Sequence, residues 1–282
     1  MKHILVPTDF SEQAMVATQV ATQLGKNAKA KVTLLNVVEV PGGPSFSTTG
    51  PAATGSDPSN SVFVLSMLKI AKEKMEELVN EDQFEGSDLH YLVTVGNPYT
   101  QIQEITEKEN IDLVVMGTKG ATGIEEFLVG SNTERVVRLS KAPVLTLKSN
   151  IDIDNIRSIA LATSLHKDDL NIAEPLKQLV EATKANLHVV RINTPNNFQS
   201  DRITKKQMSE FVEKLGTENV SEHSYSDAIE EDGIIHFAEA HQVDMIAMAT
   251  HGRTGFLHLL SGSIAEDVVN HARRPVWTFN IR

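Results

Sequence analysis

The stretch MGTKGATGIEEFLVGS, Met116–Ser131, decides how this chain is read. It follows the apolar run Ile111–Met116 and precedes a helical pattern over Asn132–Leu139. Its key glycines are Gly117, Gly120 and Gly130, the last followed by Ser131. Glycine lets a backbone approach a bound group closely and adopts positive φ at little cost. Glycines after a strand, with one more just before a helix, suit a phosphate cradle. The first N–H groups of a helix and its dipole attract anions. The spacing matches neither the Walker loop nor the dinucleotide fingerprint. The same residues also fit a structural turn, because Ser131 and Glu134 read as a capping box for the helix.

The line is written twice. Ile111–Leu147 laid over Val243–Phe279 without gaps gives fifteen identities in 37 positions. Among them are Asp112/Asp244, Gly120/Gly252, Gly130/Gly262, Ser131/Ser263, Glu134/Glu266 and Pro143/Pro275. The openings also align, Ile4–Ser11 over Ile159–His166, at an offset of 155 rather than 132. A tandem repeat follows, with copies over residues 1–149 and 155–282. The offset shrinks by 155 − 132 = 23, so the first copy carries about that much extra chain. The segment Pro41–Ser61, rich in Gly, Pro, Ser and Thr, is expected to be that insertion and to lack regular structure.

Each copy alternates strand and helix. In the first, strands are expected at His3–Val6, Lys31–Val38, Leu89–Val95, Asp112–Met116 and Val144–Leu147. Helices are expected near Ser11–Leu24, Val62–Asn80, Tyr99–Glu109 and Asn132–Leu139. In the second of these, Leu65, Leu68, Met75 and Leu78 are assigned to one buried face. The second copy repeats the scheme, with strands at Ser158–Leu161, Leu187–Ile192, Val220–Tyr225, Asp244–Met248 and Val276–Phe279. The fold class is α/β, as two doubly wound parallel five-stranded sheets. Ligands on such sheets bind at the carboxyl ends of the strands, where strand order reverses.

Composition narrows the function. The chain has 282 residues, 40% of them apolar, and a formal net charge of −11. That charge argues against nucleic acid and anionic membranes as partners. There is no cysteine, hence no disulfide framework or cysteine metal cluster. No signal-peptide pattern opens the chain and no apolar run reaches bilayer length, so a cytoplasmic location is expected.

The glycine pattern after a strand ending in Met116-Gly117, the opening ILVPTDFS and the closing KAPVLTLK (Lys141–Lys148) resemble the universal stress protein family. The resemblance covers the whole chain as two domains in tandem. It implies an adenine-nucleotide alpha-hydrolase-like fold that binds ATP or AMP, with Mg2+ bridging the phosphates, and a regulatory rather than efficiently catalytic role. By that resemblance Asp9 contacts the adenosine moiety, and the backbone of Val37 meets the adenine edge. Gly117, Gly120, Gly130 and Ser131 form the ribose- and phosphate-binding loop, and Gly96 and Pro98 the turn beside the adenosine. Two alternatives stay open at the level of residues. Asp9 also reads as a helix cap, and Lys119, inside the loop, as either a phosphate contact or a solvated lysine.

The second copy departs at these positions. Ser164 stands for Asp9, Arg191 aligns with Val37, Ala249 with Gly117, Ala228 with Gly96 and Glu230 with Pro98. If Gly117 is left-handed, alanine there costs about 1–2 kcal/mol. An altered or lapsed second site is expected, with Gly252 and Arg253 still suited to an anion. Eight of the ten histidines lie in the second copy, at 166, 188, 223, 236, 241, 251, 258 and 271. None is spaced for a helical metal clamp, so no metal site is assigned and scattered histidines are expected.

The last strands, Val144–Leu147 and Val276–Phe279, are short, β-rich and proline-led. The family resemblance implies pairing through this strand, here within one chain as a pseudo-dimer with Trp277 at the seam. A homodimer and an unidentified protein partner are further expectations. Two rival readings remain: a slow ATPase or self-phosphorylating protein, although no general base is evident, and a nucleotide-free scaffold.

Overall fold

A computed structural model describes residues 1–39, 58–118, 129–251 and 264–281. The first half runs β1 (His3–Pro7), α1 (Glu12–Ala28), β2 (Lys31–Val38), α2 (Pro58–Val79), β3 (Leu89–Val95), α3 (Pro98–Lys108), β4 (Leu113–Gly117), α4 (Ser131–Leu139) and β5 (Val144–Leu147). The second runs β6 (Ser158–Ala162), α5 (Ala173–Thr183), β7 (Asn186–Asn193), α6 (Asp201–Leu215), β8 (Val220–Ser226), α7 (Glu230–Ala240), β9 (Met245–His251), α8 (Ile264–His271) and β10 (Val276–Ile281).

All ten strands form one sheet, in the order β3-β2-β1-β4-β5-β10-β9-β6-β7-β8. The two five-stranded sheets of the sequence reading are therefore joined edge to edge. Among the described residues, pairing is parallel within each half and antiparallel only between β5 and β10. There Val276 faces Thr146, Trp277 faces Leu145 and Thr278 faces Val144. The seam has local two-fold symmetry. Thr146 Oγ1 donates to Val276 O at 3.0 Å, and its counterpart Thr278 Oγ1 donates to Val144 O at 3.4 Å. Pairing these strands removes two exposed edges. The remaining edges, β3 and β8, mix polar with apolar residues and are half-exposed, whereas β1 and β4 are largely apolar and buried on both faces.

Helices α1, α2, α5 and α6 cover one face, and α3, α4, α7 and α8 the other. Each face carries a hydrophobic core that runs through both halves. Trp277, 1% exposed, sits in the first of these cores.

Two expectations are corrected in α2. The helix begins at Pro58, inside the presumed irregular insertion; proline is favoured at the first helical position, where its missing N–H costs nothing. Residues 40–57 lie outside the described residues. Along the helix, Ala71, Met75 and Leu78 are buried, but Leu65 is 66% exposed. The first strand of each half is pinned at its start by an aspartate from the chain entering β4 or β9. Asp112 Oδ2 accepts from the N–H groups of Lys2 and His3, and Asp244 Oδ2 from those of Arg157 and Ser158. The identity of these two aspartates serves the start of the sheet, not a ligand.

Candidate nucleotide site

In the first half strand order reverses between β1 and β4, which are adjacent with Ile4 facing Leu113. Their carboxyl ends place Asp9 and Gly117 at the crevice where ligands of doubly wound sheets bind.

The exit from β1 is a nested turn. Thr8 Oγ1 accepts from Phe10 N–H at 3.1 Å, Asp9 Oδ1 from Ser11 N–H at 3.0 Å, and Ser11 Oγ from Ala14 N–H at 3.2 Å. Ser11, not Asp9, is thus the N-cap of α1. Asp9 stays exposed with its carboxylate at the strand end. The turn forces Phe10 to φ +64°, a costly region for an L side chain. Leu165, its counterpart, has the same φ of +64°. The strain therefore belongs to the turn in both halves, whichever ligand residues are present. Asn36 pins the turn to β2 through Nδ2–H to Thr8 O at 2.9 Å.

The glycines do different work. A Cβ on Gly117 would stand 2.8 Å from Gln13 Cβ and 2.9 Å from Gln13 O. Its φ is not among the positive values, so the left-handed requirement considered from sequence does not apply. Glycine is needed there because α1 crosses β4 closely. In the second half the matching stretch of chain is a 3-10 helix, Lys167–Ile172, and the strand carries Ala249. Gly96 does hold a glycine conformation, φ +143°, with its N–H donating to Val38 O at 3.0 Å. Asn97 then caps α3, and Pro98 is its first residue.

Gly130 is not left-handed, and among the described residues it is not packed. Its φ is −59°, and among those residues a Cβ would meet nothing nearer than Thr118 O at 3.7 Å. Its N–H donates to Thr118 O at 2.8 Å, which joins the two ends of the glycine loop. The expected capping box is not formed: Gly130 is the N-cap, no side chain caps α4, and Ser131 is its exposed first residue. Glu134 N–H donates to Gly130 O at 3.0 Å. The N–H groups of Ser131, Asn132 and Thr133 have no acceptor among the described residues. Lys119 and Gly120 lie outside the described residues, as do Gly252 and Arg253.

Strand register corrects the alignment of the second half. Leu35 faces Pro7 on β1, and Val190 faces Ala162 on β6. Arg191 is therefore the counterpart of Asn36, and Ile192 that of Val37. A shift of one residue moves a side chain to the other sheet face, so the guanidinium lies on the α5–α6 side. It is 5% exposed and donates to Asn193 Oδ1 and, at 2.7 Å, to Asn197 O. Likewise Asp227, whose N–H donates to Asn193 O, replaces Gly96; Ala228 does not. Ser164 turns inward, and its Oγ donates to Asp169 Oδ2 at 2.9 Å, as does Thr163 Oγ1 at 2.7 Å. Asp169 is 2% exposed. The polar groups that end β6 and β7 are thus spent on their own half.

No three His, Asp or Glu side chains converge as a metal site among the described residues. Nor is any described helix long and apolar enough to cross a membrane.

Comparison with known proteins agrees with this architecture. The family model for the universal stress protein family matches twice, over residues 1–148 and 155–280. A universal stress protein of Methanocaldococcus jannaschii is 34% identical over 154 residues, 52% of this chain and 94% of its own length. A second one from that organism is 34% identical over 147 residues, 52% of this chain and 82% of its own. Among solved structures, a universal stress protein from Archaeoglobus fulgidus superposes with a TM-score of 0.76 over 99% of this chain and 98% of its own, at 21% identity. That likeness speaks to the two-part fold. On the paired family matches and the identity to single-copy relatives, this chain belongs to the universal stress protein family, with the family domain in tandem.

Proposed function

We propose that the first half binds an adenine nucleotide, ATP or AMP, as a regulatory ligand of a cytoplasmic stress protein. The observation that carries this reading is the start of α4. Three backbone donors, Ser131 to Thr133, are without acceptors among the described residues, beside a Gly130 that neither φ nor packing requires. An anion approaching this helix end meets N–H groups and the positive end of the dipole, with no Cβ in the way. Asp9, across the switch point, is an exposed acceptor suited to the hydroxyl or amine donors of a nucleoside. Gly96 and Pro98 shape the wall beside it, and the backbone of Val37 offers the adenine edge its polar groups. Mg2+ would enter with the phosphates, since nucleotide-linked Mg2+ needs few protein ligands.

The test is direct. Protein purified without added ligand is denatured and its supernatant run on ion exchange; about one adenine nucleotide per chain is expected. Titration of ligand-stripped protein with ATP and AMP should give one site, weakened at least about tenfold by Gly130→Asp, which places a negative charge at the helix end. Absence of nucleotide, together with no thermal shift in millimolar ATP, would leave the scaffold reading in its place.

A further inference from the structure

The second half holds a histidine cluster that its spacing in the sequence does not reveal. His188 on β7 and His223 on β8 are diagonal neighbours on one sheet face, with Nδ1 and Nε2 3.0 Å apart. One of these nitrogens donates and the other accepts. His241, which follows α7, packs its ring at a tilt against both His223 and Phe237, with centroids 5.0 and 4.3 Å away. Phe237 is fully buried, and its ring lies 5.1 Å from that of His223. Three imidazoles and a phenyl ring thus tie the edge strand β8 and the end of α7 to β7. The first half has Thr33 and Leu92 where the second has His188 and His223.

The carboxylates of the surrounding elements turn elsewhere. On β8, Glu222 accepts from Ser209 of α6 on the opposite face. On α7, Glu230 pairs with Asn197 and Glu231 with His271, while Asp232 and Glu239 act on His236. Asp227 also pairs with His236. Tyr225, on the same face of β8, meets Phe237 edge-on. Burial pushes the pKa of His188 down, and His241 adds to this; burial, then His188 and His241, do the same to His223.

We propose that His188 and His223, with His241 packed against His223, form an acid latch: while this bonded pair is uncharged it holds the β8–α7 edge closed, and its protonation releases the edge. The shared N–H···N bond survives one extra proton, since an imidazolium still donates to a neutral ring. A second proton removes the acceptor and sets two cations 3.0 Å apart. The opened edge has no such restriction, so it binds more protons than the closed one. A histidine whose closed-state pKa is depressed favours closure above its ordinary value of about 6.5, and that support declines as pH falls below it. Each additional proton taken up on opening raises the opening equilibrium about tenfold per pH unit. The latch is independent of nucleotide binding in the first half.

Native-state hydrogen exchange on the full chain, with EDTA present, tests this. Between pH 7.0 and 5.5, after correction for intrinsic rates, protection of β8 and α7 amides should fall at least about tenfold more than that of β3 and α3. The double variant His188→Thr, His223→Leu, which installs the residues of the first half, should abolish the difference. The proposal is overturned if both edges lose protection equally, or if the double variant keeps the excess loss. It is also overturned if the loss requires omission of EDTA, which would assign it to a bound metal ion. Should the double variant fail to fold, NMR titration of the wild-type imidazoles decides. Midpoints for His188 and His223 below the ordinary value support the latch; midpoints at or above it sink it.

Discussion

The two halves share a fold and differ at the ends of their strands. In the first, the exit of β1 exposes Asp9, Gly96 opens the turn before α3, and the N–H groups at the start of α4 have no acceptor among the described residues. In the second, a buried carboxylate, Asp169, takes the hydroxyls of Thr163 and Ser164, and Arg191 knits β7 to the following loop. The same backbone turn, with a strained Phe10 or Leu165, carries both. Duplicated architecture does not require the same polar groups at the strand ends. Those of Thr163, Ser164 and Arg191 are hydrogen-bonded within their own half, as burial of polar groups favours.

The comparison can be broken most severely at the seam. Trp277→Ala removes the largest buried side chain of a core that spans both halves, and should cost about 3–5 kcal/mol in urea unfolding. Two separate transitions in the variant would show that this contact couples the halves. Next comes the glycine contrast. Gly117→Ala forces a methyl against the α1 backbone and should destabilise by about 1–3 kcal/mol. Ala249→Gly in the second half should cost only about 0.5–1 kcal/mol. Equal losses would contradict the close-approach explanation. Arg191→Asn, the residue of the first half, removes bonds to Asn193 and Asn197 and should cost about 1.5–3 kcal/mol without creating a second nucleotide site. A titration showing two equivalents of ATP bound would instead make Arg191 the sole block.

The smallest effect lies where Asp227 replaces Gly96. The Asp227 hydrogen bond holds the pKa of the exposed His236 above its ordinary value, while His236 lowers that of Asp227. For His236, support from the pair is full below about 6.5 and disappears as pH rises through the raised folded value. For Asp227, support is present above the ordinary carboxylate range and declines as pH falls through the depressed folded value. NMR should find the His236 midpoint above 6.5 in the wild type and close to 6.5 in Asp227→Asn. An unchanged midpoint would discard the pair.

Much of this was legible in the residues. Apolar runs and helical periodicity gave the order of strands and helices, and the repeat gave the tandem arrangement. The position of the glycine loop at a strand end followed from the same pattern. The reasons for individual residues were less legible. The cap of α4 was assigned to Ser131 because capping boxes are local patterns, yet the chain enters that helix one residue earlier, at Gly130. The pairing of Arg191 with Val37 failed by one position: the offset of 155 that aligns the openings persists into β2 and β7, and carries Val37 to Ile192.

By itself, the amino-acid sequence determined the α/β class, the two copies and the family, because these rest on periodicity and motifs within short stretches of chain. Only the tertiary structure decided the rest. It fixed the antiparallel register of the seam that the family resemblance implied, made Gly117 a contact glycine, left Gly130 open among the described residues, and gathered His188, His223 and His241 from separate elements. Each of these depends on distances between residues far apart in the chain, set by strand register and helix packing rather than by local preference.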